Sequence, residues 1–183
     1  MRLDEFVNQK VINELTIPDT FKGAVERLKS AGYNSLGSGY YGQVFEKPGA
    51  DYVLKVFSNR DKAYTNFVNI ARQNQDNPHF PKIKGSIVKV TDAYSAVRTE
   101  KLANYSGEYA SVLEEYLETG SLEHNNPDVK SKLEKVFQEQ PGLKDALDVI
   151  HSSLIKTGQH ENDFHMDNMM SRGNTIVIID PVS

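Results

Sequence analysis

The sequence predicts an α+β protein with two lobes, a β-rich half followed by a mostly helical half. Between residues 33 and 102, apolar and polar residues alternate in several short runs, which is the period of half-buried strands. From residue 108 to residue 158, apolar residues recur instead at helical spacing. We therefore expect a helical extension over 1–32, a β-rich lobe over 33–102 and a helical lobe over 103–183.

Composition and charge narrow the classes of function. The chain of 183 residues has a formal net charge of −4 and no run of Lys or Arg, so it offers no basic surface for nucleic acid. It has no cysteine, which removes disulfides, thiolate nucleophiles and cysteine-based metal sites. No apolar run approaches the ~20 residues that span a bilayer, and the first residues do not resemble a signal peptide. We expect a cytoplasmic protein with neither nucleic acid nor membrane as a partner.

The first third of the chain predicts two helices and then a hairpin. Apolar residues recur at helical spacing over 3–15 and again over 21–28, and Gly32 follows the second stretch as a helix stop. The stretches "LGSGYYGQVFE" and "DYVLKVF" then alternate on either side of "KPGA", a Pro-Gly turn signal. The result is a predicted hairpin whose first arm is rich in glycine.

The remaining elements follow from the same periodicities. Residues 61–73 return to helical spacing, and "IKGSIVKV" and "YSAVRTEKL" are predicted as strands around the turn "TDA". The helical pattern over 108–158 is interrupted at "TGSLEHNNPD" and at Pro141-Gly142. The tail predicts a short strand "MM", the turn "SRGN" and a strand "TIVII" that ends at Asp180.

Gly37, Gly39 and Gly42 have the spacing of a phosphate-binding glycine loop. They lie between two strands rather than at a strand-to-helix junction, which argues against the dinucleotide-binding fingerprint. Backbone amides at positions without side chains can approach a triphosphate closely, while a plain turn is the alternative for this spacing alone. In the phosphate-binding interpretation, Val44 covers the adenine, and the nucleotide contacts of this arm are Gly37, Ser38, Gly39, Tyr40, Gly42 and Val44.

Lys55 lies in "VLKVF", the next strand of the hairpin, between apolar neighbours. Alternation along the strand directs its ammonium to the same side as the glycine loop, where it would clamp the α- and β-phosphates. A lysine that points into solvent is the ordinary alternative for a single strand position. The spacing from the glycine loop favours the phosphate role.

Three oxygen-bearing side chains of the tail are predicted to converge. Asp163 and Asn168 lie in "DFHMDN", and Asp180 follows the apolar strand "IVII". A phosphate-bound Mg²⁺ needs only one or two protein oxygen ligands, a role that Asn168 and Asp180 fit. Asp163 would then accept the proton of an attacking hydroxyl. A local turn or cap is the alternative for each residue alone, but it does not explain why all the motifs occur in this order.

Together, "GSGYYGQVF", "VLKVF", "DFHMDN" and "IIDPVS" resemble the glycine loop, strand lysine, catalytic loop and metal-binding aspartate of the protein-kinase-like superfamily. The resemblance extends over about residues 33 to 183 and is greatest to the early serine/threonine protein kinases of short-tailed phages. It implies a bilobal kinase-like fold that transfers the γ-phosphate of ATP, with Mg²⁺, to Ser/Thr hydroxyls of proteins, either host proteins or the kinase itself. It also implies that backbone groups from Glu100 to Leu102 meet the adenine edge.

The chain departs from the family pattern at several positions. The helix after the lysine strand contains no Glu, so Asp61, Asp76 or no charged group positions Lys55. His165 takes the place of a lysine that neutralises the γ-phosphate, and it either braces the catalytic loop or contacts phosphate. No activation loop or late helical subdomain follows Asp180, which predicts a kinase without control by loop phosphorylation. It is either a minimal kinase that is always on, or one whose substrate platform comes from the two N-terminal helices or a partner protein.

Two rival functions are compatible with the same motifs. A small-molecule phosphotransferase of the aminoglycoside or choline kinase type has the same Asp-x-His-x-x-Asn loop, although such enzymes usually need a large helical substrate lobe. A pseudokinase would hold nucleotide and act by binding a host protein. The presence of Lys55, Asp163, Asn168 and Asp180 argues against the pseudokinase, although the missing helix Glu leaves it open.

Overall fold

The alternating runs of the first half form a sheet in a computed structural model, which describes residues 21–38, 42–122, 126–157 and 168–181. The chain divides into two units. The first comprises Met1–Asp61 and Ile83–Lys101, and the second comprises Lys62–Lys82 and Leu102–Ser183.

The first unit is built on a five-stranded antiparallel sheet. In the described residues its strands are β1 (Asn34–Ser38), β2 (Gly42–Glu46), β3 (Tyr52–Ser58), β4 (Ile83–Lys89) and β5 (Tyr94–Glu100). Their order is β1-β2-β3-β5-β4, so β3 is the central strand. The predicted turn between β2 and β3 is closed by the amide of Ala50, which donates to the carbonyl of Lys47 at 3.0 Å. Because β3 is paired on both sides, its register fixes which side chains share a face of the sheet.

Helix α1 (Phe21–Ser30) packs against one face of this sheet. The buried cluster that joins helix and sheet consists of Leu28, Tyr33, Phe45, Val56 and Ala96. The helix stops as predicted, because Gly32 adopts a φ of +84° and the amide of Tyr33 donates to the carbonyl of Leu28 at 2.9 Å. This is the Schellman arrangement, in which glycine supplies the left-handed residue that ends the helix.

The second unit is mostly helical. Its described helices are α2 (Lys62–Gln73), α3 (Ala110–Thr119), α4 (Pro127–Glu139) and α5 (Leu143–Thr157). The largest side chains that are 1% exposed or less in α3, α4 and α5 include Leu113, Tyr116, Leu133, Leu143 and Leu147. Helix α4 begins at a cap, since the side chain of Asn126 accepts the amide of Asp128 at 3.0 Å. Where the structure describes residues 108–157, it confirms the predicted helices and the interruptions after Thr119 and at Pro141-Gly142.

A three-stranded antiparallel sheet also belongs to the second unit. Its strands β6 (Ala103–Asn104), β7 (Met169–Arg172) and β8 (Thr175–Ile178) lie in that order. Strands β7 and β8 form the predicted terminal hairpin, whose turn contains Gly173 with a φ of +61°. Strand β6 was not predicted, because two residues are too few to show alternation. No helix within the described ranges is both long and apolar enough to cross a membrane.

These elements confirm the predicted α+β fold class. An antiparallel sheet with a helix between its third and fourth strands, then a helical unit and a terminal hairpin, is the order of elements that the sequence predicts. The glycine-rich arm comprises two strands, β1 and β2, which pair with each other. The helix predicted over 3–15 lies outside the described residues.

Candidate functional site

One row across the sheet of the first unit contains three of the residues predicted to contact nucleotide. Gly37 of β1 pairs with Val44 of β2, Val44 pairs with Lys55 of β3, and Lys55 pairs with Val97 of β5. Residues directly opposite each other on neighbouring strands project from the same face of the sheet. Lys55 therefore shares a face with Val44 and with the first glycine of the loop, as alternation along the strands predicts.

This face is the one opposite α1. Phe45 and Leu54, which alternate with Val44 and Lys55 along β2 and β3, pack in the cluster beneath α1. Lys55 lies on the other face and is half-buried, and Val97 beside it is 1% exposed. The row thus places one cation among apolar side chains, a combination that suits the phosphates and the base of a nucleotide.

The two described glycines of the loop differ in what they contact. A Cβ added to Gly42 would lie 2.5 Å from the carbonyl oxygen of Val56 and 3.2 Å from the Cα of Phe57, so β2 approaches β3 this closely only with glycine. A Cβ added to Gly37 would meet no described atom within 4 Å, and the φ of Gly37 is not left-handed. Packing of the described protein therefore explains the glycine at position 42 and not the one at position 37.

Strand β1 has a bulge where the glycine-rich loop begins. Its register with β2 shifts between Ser35 and Gly37, which leaves Leu36 as the extra residue, 52% exposed. A bulge of this kind bends a strand and re-aims the residues that follow it.

The other predicted nucleotide contacts lie at strand ends or outside the described residues. Ser38 is the last residue of β1, and Glu100 is the last residue of β5, where it pairs with Tyr52. Leu102 lies between β5 and β6. The predicted residues outside the described ranges are Gly39, Tyr40, Asp163 and His165.

Helix α2 contains no acidic residue, so it offers Lys55 no carboxylate partner. The sequence offers Asp61 and Asp76 as residues that could position Lys55. Asp61 is 9% exposed and belongs to the same unit as Lys55. Asp76 is exposed in the turn that follows α2 and belongs to the second unit.

Asn168 and Asp180 lie at the open end of the β7–β8 hairpin. Met169 pairs with Ile178, and beyond this pair the amide of Ile179 donates to the carbonyl of Asn168 at 2.9 Å. Asn168 is 9% exposed, and Asp180 is half-buried. The two residues therefore flank the same end of the hairpin.

The chemistry of this pair fits a phosphate-bound Mg²⁺. An amide oxygen and a carboxylate are hard ligands of the kind that Mg²⁺ prefers. Within the described part of the chain, no three His, Cys, Asp or Glu residues lie close enough together to hold a metal ion by themselves. Two oxygen ligands suit a metal whose remaining ligands are phosphate oxygens and water.

Loop 77–80, which follows α2, binds this hairpin, and sequence reasoning missed it. His79 is 1% exposed, and its ring Nδ1 lies 2.7 Å from the carbonyl oxygen of Ile176 and its Nε2 3.1 Å from that of Pro141. The carbonyl of His79 accepts the amide of Ile178 at 3.0 Å. Burial lowers the pKa of His79 below its ordinary value of 6.5, so the ring is neutral at pH 7. The signal in the sequence is "NPHFPK", in which Asn and Pro mark a turn around a single histidine.

Arg172 of β7 binds the same loop. Its Nη1 donates to the carbonyl of Pro78 at 2.8 Å, and its Nη2 donates to the carbonyl of Phe80 at 3.2 Å. Three consecutive carbonyls of the loop are thus engaged by the hairpin that ends in Asn168 and Asp180.

Comparison with known proteins finds structural neighbours of low sequence identity. No protein-family model and no curated protein matches this sequence. The chain is similar to a protein of Haemophilus somnus 129PT assigned as a fructosamine-3-kinase, with 12% identity over 82% of this chain and 65% of that one and a TM-score of 0.39. It is similar to a kinase of the Cydia pomonella granulovirus, with 14% identity over 87% of this chain and 57% of that one and a TM-score of 0.39.

A third similar structure is that of APH(2")-IIa in a ternary complex with streptomycin and ATP. The identity is 16% over 98% of this chain and 71% of that one, and the TM-score is 0.37. The chain therefore spans between 57% and 71% of the length of these three proteins.

Proposed function

We propose that the chain is an ATP-dependent phosphotransferase that moves the γ-phosphate of Mg-ATP to Ser/Thr hydroxyls of proteins, host proteins or itself among them. The proposal depends most on the row of Gly37, Val44 and Lys55 on one face of the sheet. The described packing does not require glycine at position 37, and this glycine lies in register with a lysine. Both features are what a strand pair that covers phosphates needs.

Each residue takes a role that its chemistry supports. Lys55 holds the α- and β-phosphates with its cation, and Val44 packs on the adenine. The backbone from Glu100 to Leu102 meets the edge of the base. Asn168 and Asp180 would hold Mg²⁺, which when bound screens the negative charge of the phosphates.

Transfer also requires a base beside the acceptor hydroxyl. We assign this role to Asp163 from its place five residues before Asn168 in the sequence. The hydroxyl oxygen forms a bond to the γ-phosphorus while its proton passes to Asp163. The bond between the γ-phosphorus and the oxygen that bridges it to the β-phosphorus breaks, and ADP leaves with that oxygen. His165 braces the loop of Asp163 or contacts the transferred phosphate.

The assignment of protein hydroxyls as the phosphate acceptors depends on the sequence resemblance. One observation favours each of the two alternative functions. The Asp-x-His-x-x-Asn loop, with His165 in it, also fits a small-molecule phosphotransferase, whose acceptor is a hydroxyl of a small compound. The lack of an acidic residue in α2 favours a protein that binds nucleotide and acts by binding a partner rather than by transfer.

One assay separates these three functions. Purified protein is incubated with ATP labelled on the γ-phosphate, Mg²⁺, a bacterial lysate and a panel of small hydroxyl compounds. The proposal predicts label on proteins, lost in Asp163→Asn and in Lys55→Ala. Label on a small compound would favour the second function, and nucleotide binding without transfer would favour the third. A wild-type chain that neither binds nor hydrolyses ATP would overturn all three.

Lys84→Ala is the matched control for Lys55→Ala. Lys84 lies in β4 of the same sheet and forms its ion pair with Asp51, whose side chain is 83% exposed. Removing an exposed ion pair changes stability by about 1 kcal/mol or less. Lys84→Ala should therefore leave transfer unchanged, whereas equal losses in both variants would mean that the effect is not specific to Lys55.

A further inference from the structure

We propose that His79 is a positioning residue for the metal-binding pair, and that it acts through the outer edge of β8. This inference rests on the proposed function, because it assumes that Asn168 and Asp180 hold the metal. Among the strands of the described ranges, β8 is an edge strand with β7 on one side. Its main-chain groups that point away from β7 need partners elsewhere in the protein.

His79 binds two of these groups as a neighbouring strand would. Its carbonyl accepts the amide of Ile178 at 3.0 Å, and its ring Nδ1 lies 2.7 Å from the carbonyl oxygen of Ile176. A residue of a true strand would use its carbonyl and its amide for these two bonds. Here the ring nitrogen takes the place of the amide, because the amide of His79 donates instead to Asn77 Oδ1 at 2.9 Å.

The loop that presents His79 is also fixed on its other side. The ring Nε2 lies 3.1 Å from the carbonyl oxygen of Pro141, and the Nδ2 of Asn77 donates to the carbonyl of Gly142 at 2.9 Å. Both carbonyls belong to the turn that precedes α5. The loop therefore joins this turn, through Asn77, to β8, through His79, and it fixes β8 relative to the helix rather than only relative to β7.

The position of β8 determines where the metal ligands lie. The amide of Ile178 donates to the carbonyl of His79, and Ile178 is two residues before Asp180. Ile178 also pairs with Met169, which is the neighbour of Asn168. A displacement of β8 at this point would move one ligand or both. Groups that orient metal ligands typically change metal affinity 10- to 100-fold when they are replaced.

The two ring contacts are not equivalent in the neutral imidazole. A neutral ring has one N–H, so it can donate to only one of the two carbonyls. The contact to Ile176 is shorter than the contact to Pro141. We therefore assign the proton to Nδ1, so that the ring donates to the carbonyl of Ile176 in β8 and Nε2 only packs beside the carbonyl of Pro141.

Two substitutions separate the hydrogen bond of the ring to β8 from its packing contact with the turn. The side-chain amide of Asn reaches about where Nδ1 lies in histidine, and the amide of Gln reaches about where Nε2 lies. His79→Asn should keep the donor to Ile176 and lose the contact to Pro141, whereas His79→Gln should do the reverse. His79→Gln loses the buried hydrogen bond to Ile176, and His79→Asn loses the ring atoms that pack beside Pro141, so both should unfold at lower urea concentrations than the wild type.

The measurement is the affinity for Mn²⁺, read by electron paramagnetic resonance in the presence of a non-hydrolysable ATP analogue. Mn²⁺ prefers the same hard oxygen ligands as Mg²⁺. We expect His79→Asn to bind Mn²⁺ about as tightly as the wild type, and His79→Gln to bind it at least about tenfold more weakly. Equal affinities in the two variants, whether both unchanged or both reduced, would overturn the inference.

Gln140→Met is the control for hairpin stability alone. Gln140 binds the hairpin beside its turn, where its Nε2 donates to the carbonyl of Asn174 at 2.8 Å and its Oε1 accepts the amide of Ile176 at 3.2 Å. This variant should lower the urea midpoint and leave the Mn²⁺ affinity unchanged. A Mn²⁺ affinity reduced as much as in His79→Gln would overturn the specific role of His79.

Failure of this inference can be distinguished from failure of the proposed function. A wild-type chain that binds neither Mn²⁺ nor the analogue overturns the proposed function and this inference with it. A wild-type chain that binds both while the two His79 variants match it overturns this inference alone. If either variant does not fold, nitrogen NMR of the wild type supplies the test, because we expect the proton on Nδ1. A proton on Nε2 would overturn the inference.

Discussion

Replacing the two described loop glycines by alanine should have opposite effects on stability. In Gly42→Ala the new methyl group would lie 2.5 Å from the carbonyl oxygen of Val56, whereas ordinary contacts begin near 3.4 Å. The neighbour is backbone of the central strand, so relief requires β2 to move away from β3 by about 0.9 Å, the difference between these two distances. Overpacking of this kind costs about 1–3 kcal/mol, and we expect Gly42→Ala to lose that much free energy of unfolding.

Gly37→Ala should instead be neutral or stabilising. A Cβ at position 37 would meet no described atom within 4 Å, and the backbone there is not left-handed. Alanine at such a position stabilises by about 0.4–1 kcal/mol, because it restricts the unfolded chain. The proposed function predicts that the same methyl group weakens ATP binding about tenfold, equivalent to about 1.4 kcal/mol, because it keeps phosphate from the backbone.

Urea unfolding followed by circular dichroism measures the first effect, and calorimetric titration with ATP measures the second. Each variant adds one methyl group to the same loop, so each serves as the control for the other. A Gly42→Ala protein as stable as the wild type would refute the packing argument. A folded Gly37→Ala protein with unchanged ATP affinity would refute the phosphate role of the loop.

Two further predictions concern stability. Gly120→Ala should lower the free energy of unfolding by about 2 kcal/mol, because Gly120 ends α3 at a φ of +64° and a Cβ would lie 2.6 Å from His151 Nε2. Urea unfolding measures this loss of free energy. If Gly120→Ala loses as much free energy of unfolding in a His151→Ala protein as in the wild type, the clash with His151 is contradicted. Wild-type stability should fall as the pH drops below 6.5, the ordinary pKa of histidine. Burial and the charge of Arg172 lower the pKa of His79 in the folded chain, so the unfolded chain binds a proton at His79 more readily. Urea unfolding across this range should show the wild type and His79→Asn converging in stability on acidification, and a constant difference would show that His79 does not titrate in this way.

The parts of the site that depend on local pattern could be predicted from the sequence. That Val44 and Lys55 share a face follows from alternation along two strands and the short turn "KPGA" between them. Asn168 and Asp180 meet at one hairpin end because the turn "SRGN" sets the register of the strands on either side of it.

The parts that depend on distant backbone contacts could not be predicted. The ring of His79 lies against carbonyls 62 and 97 residues away in the chain, and a carbonyl oxygen carries no information about residue type. Strand β6 exists because Ala103 pairs with Ser171, although its two residues show no alternation of their own. The bulge at Leu36 likewise depends on how β1 pairs with β2 and not on composition.

The proposed function requires that Lys55 binds the phosphates of Mg-ATP and that Asp180 binds its metal ion. Calorimetric titration of the wild type, Lys55→Met and Asp180→Asn with ATP, each with and without Mg²⁺, tests it most directly. The account predicts that Mg²⁺ tightens ATP binding by the wild type, that Lys55→Met weakens binding under both conditions, and that Asp180→Asn removes the effect of Mg²⁺. Wild-type affinity independent of Mg²⁺, or variants that bind Mg-ATP as the wild type does, would contradict it.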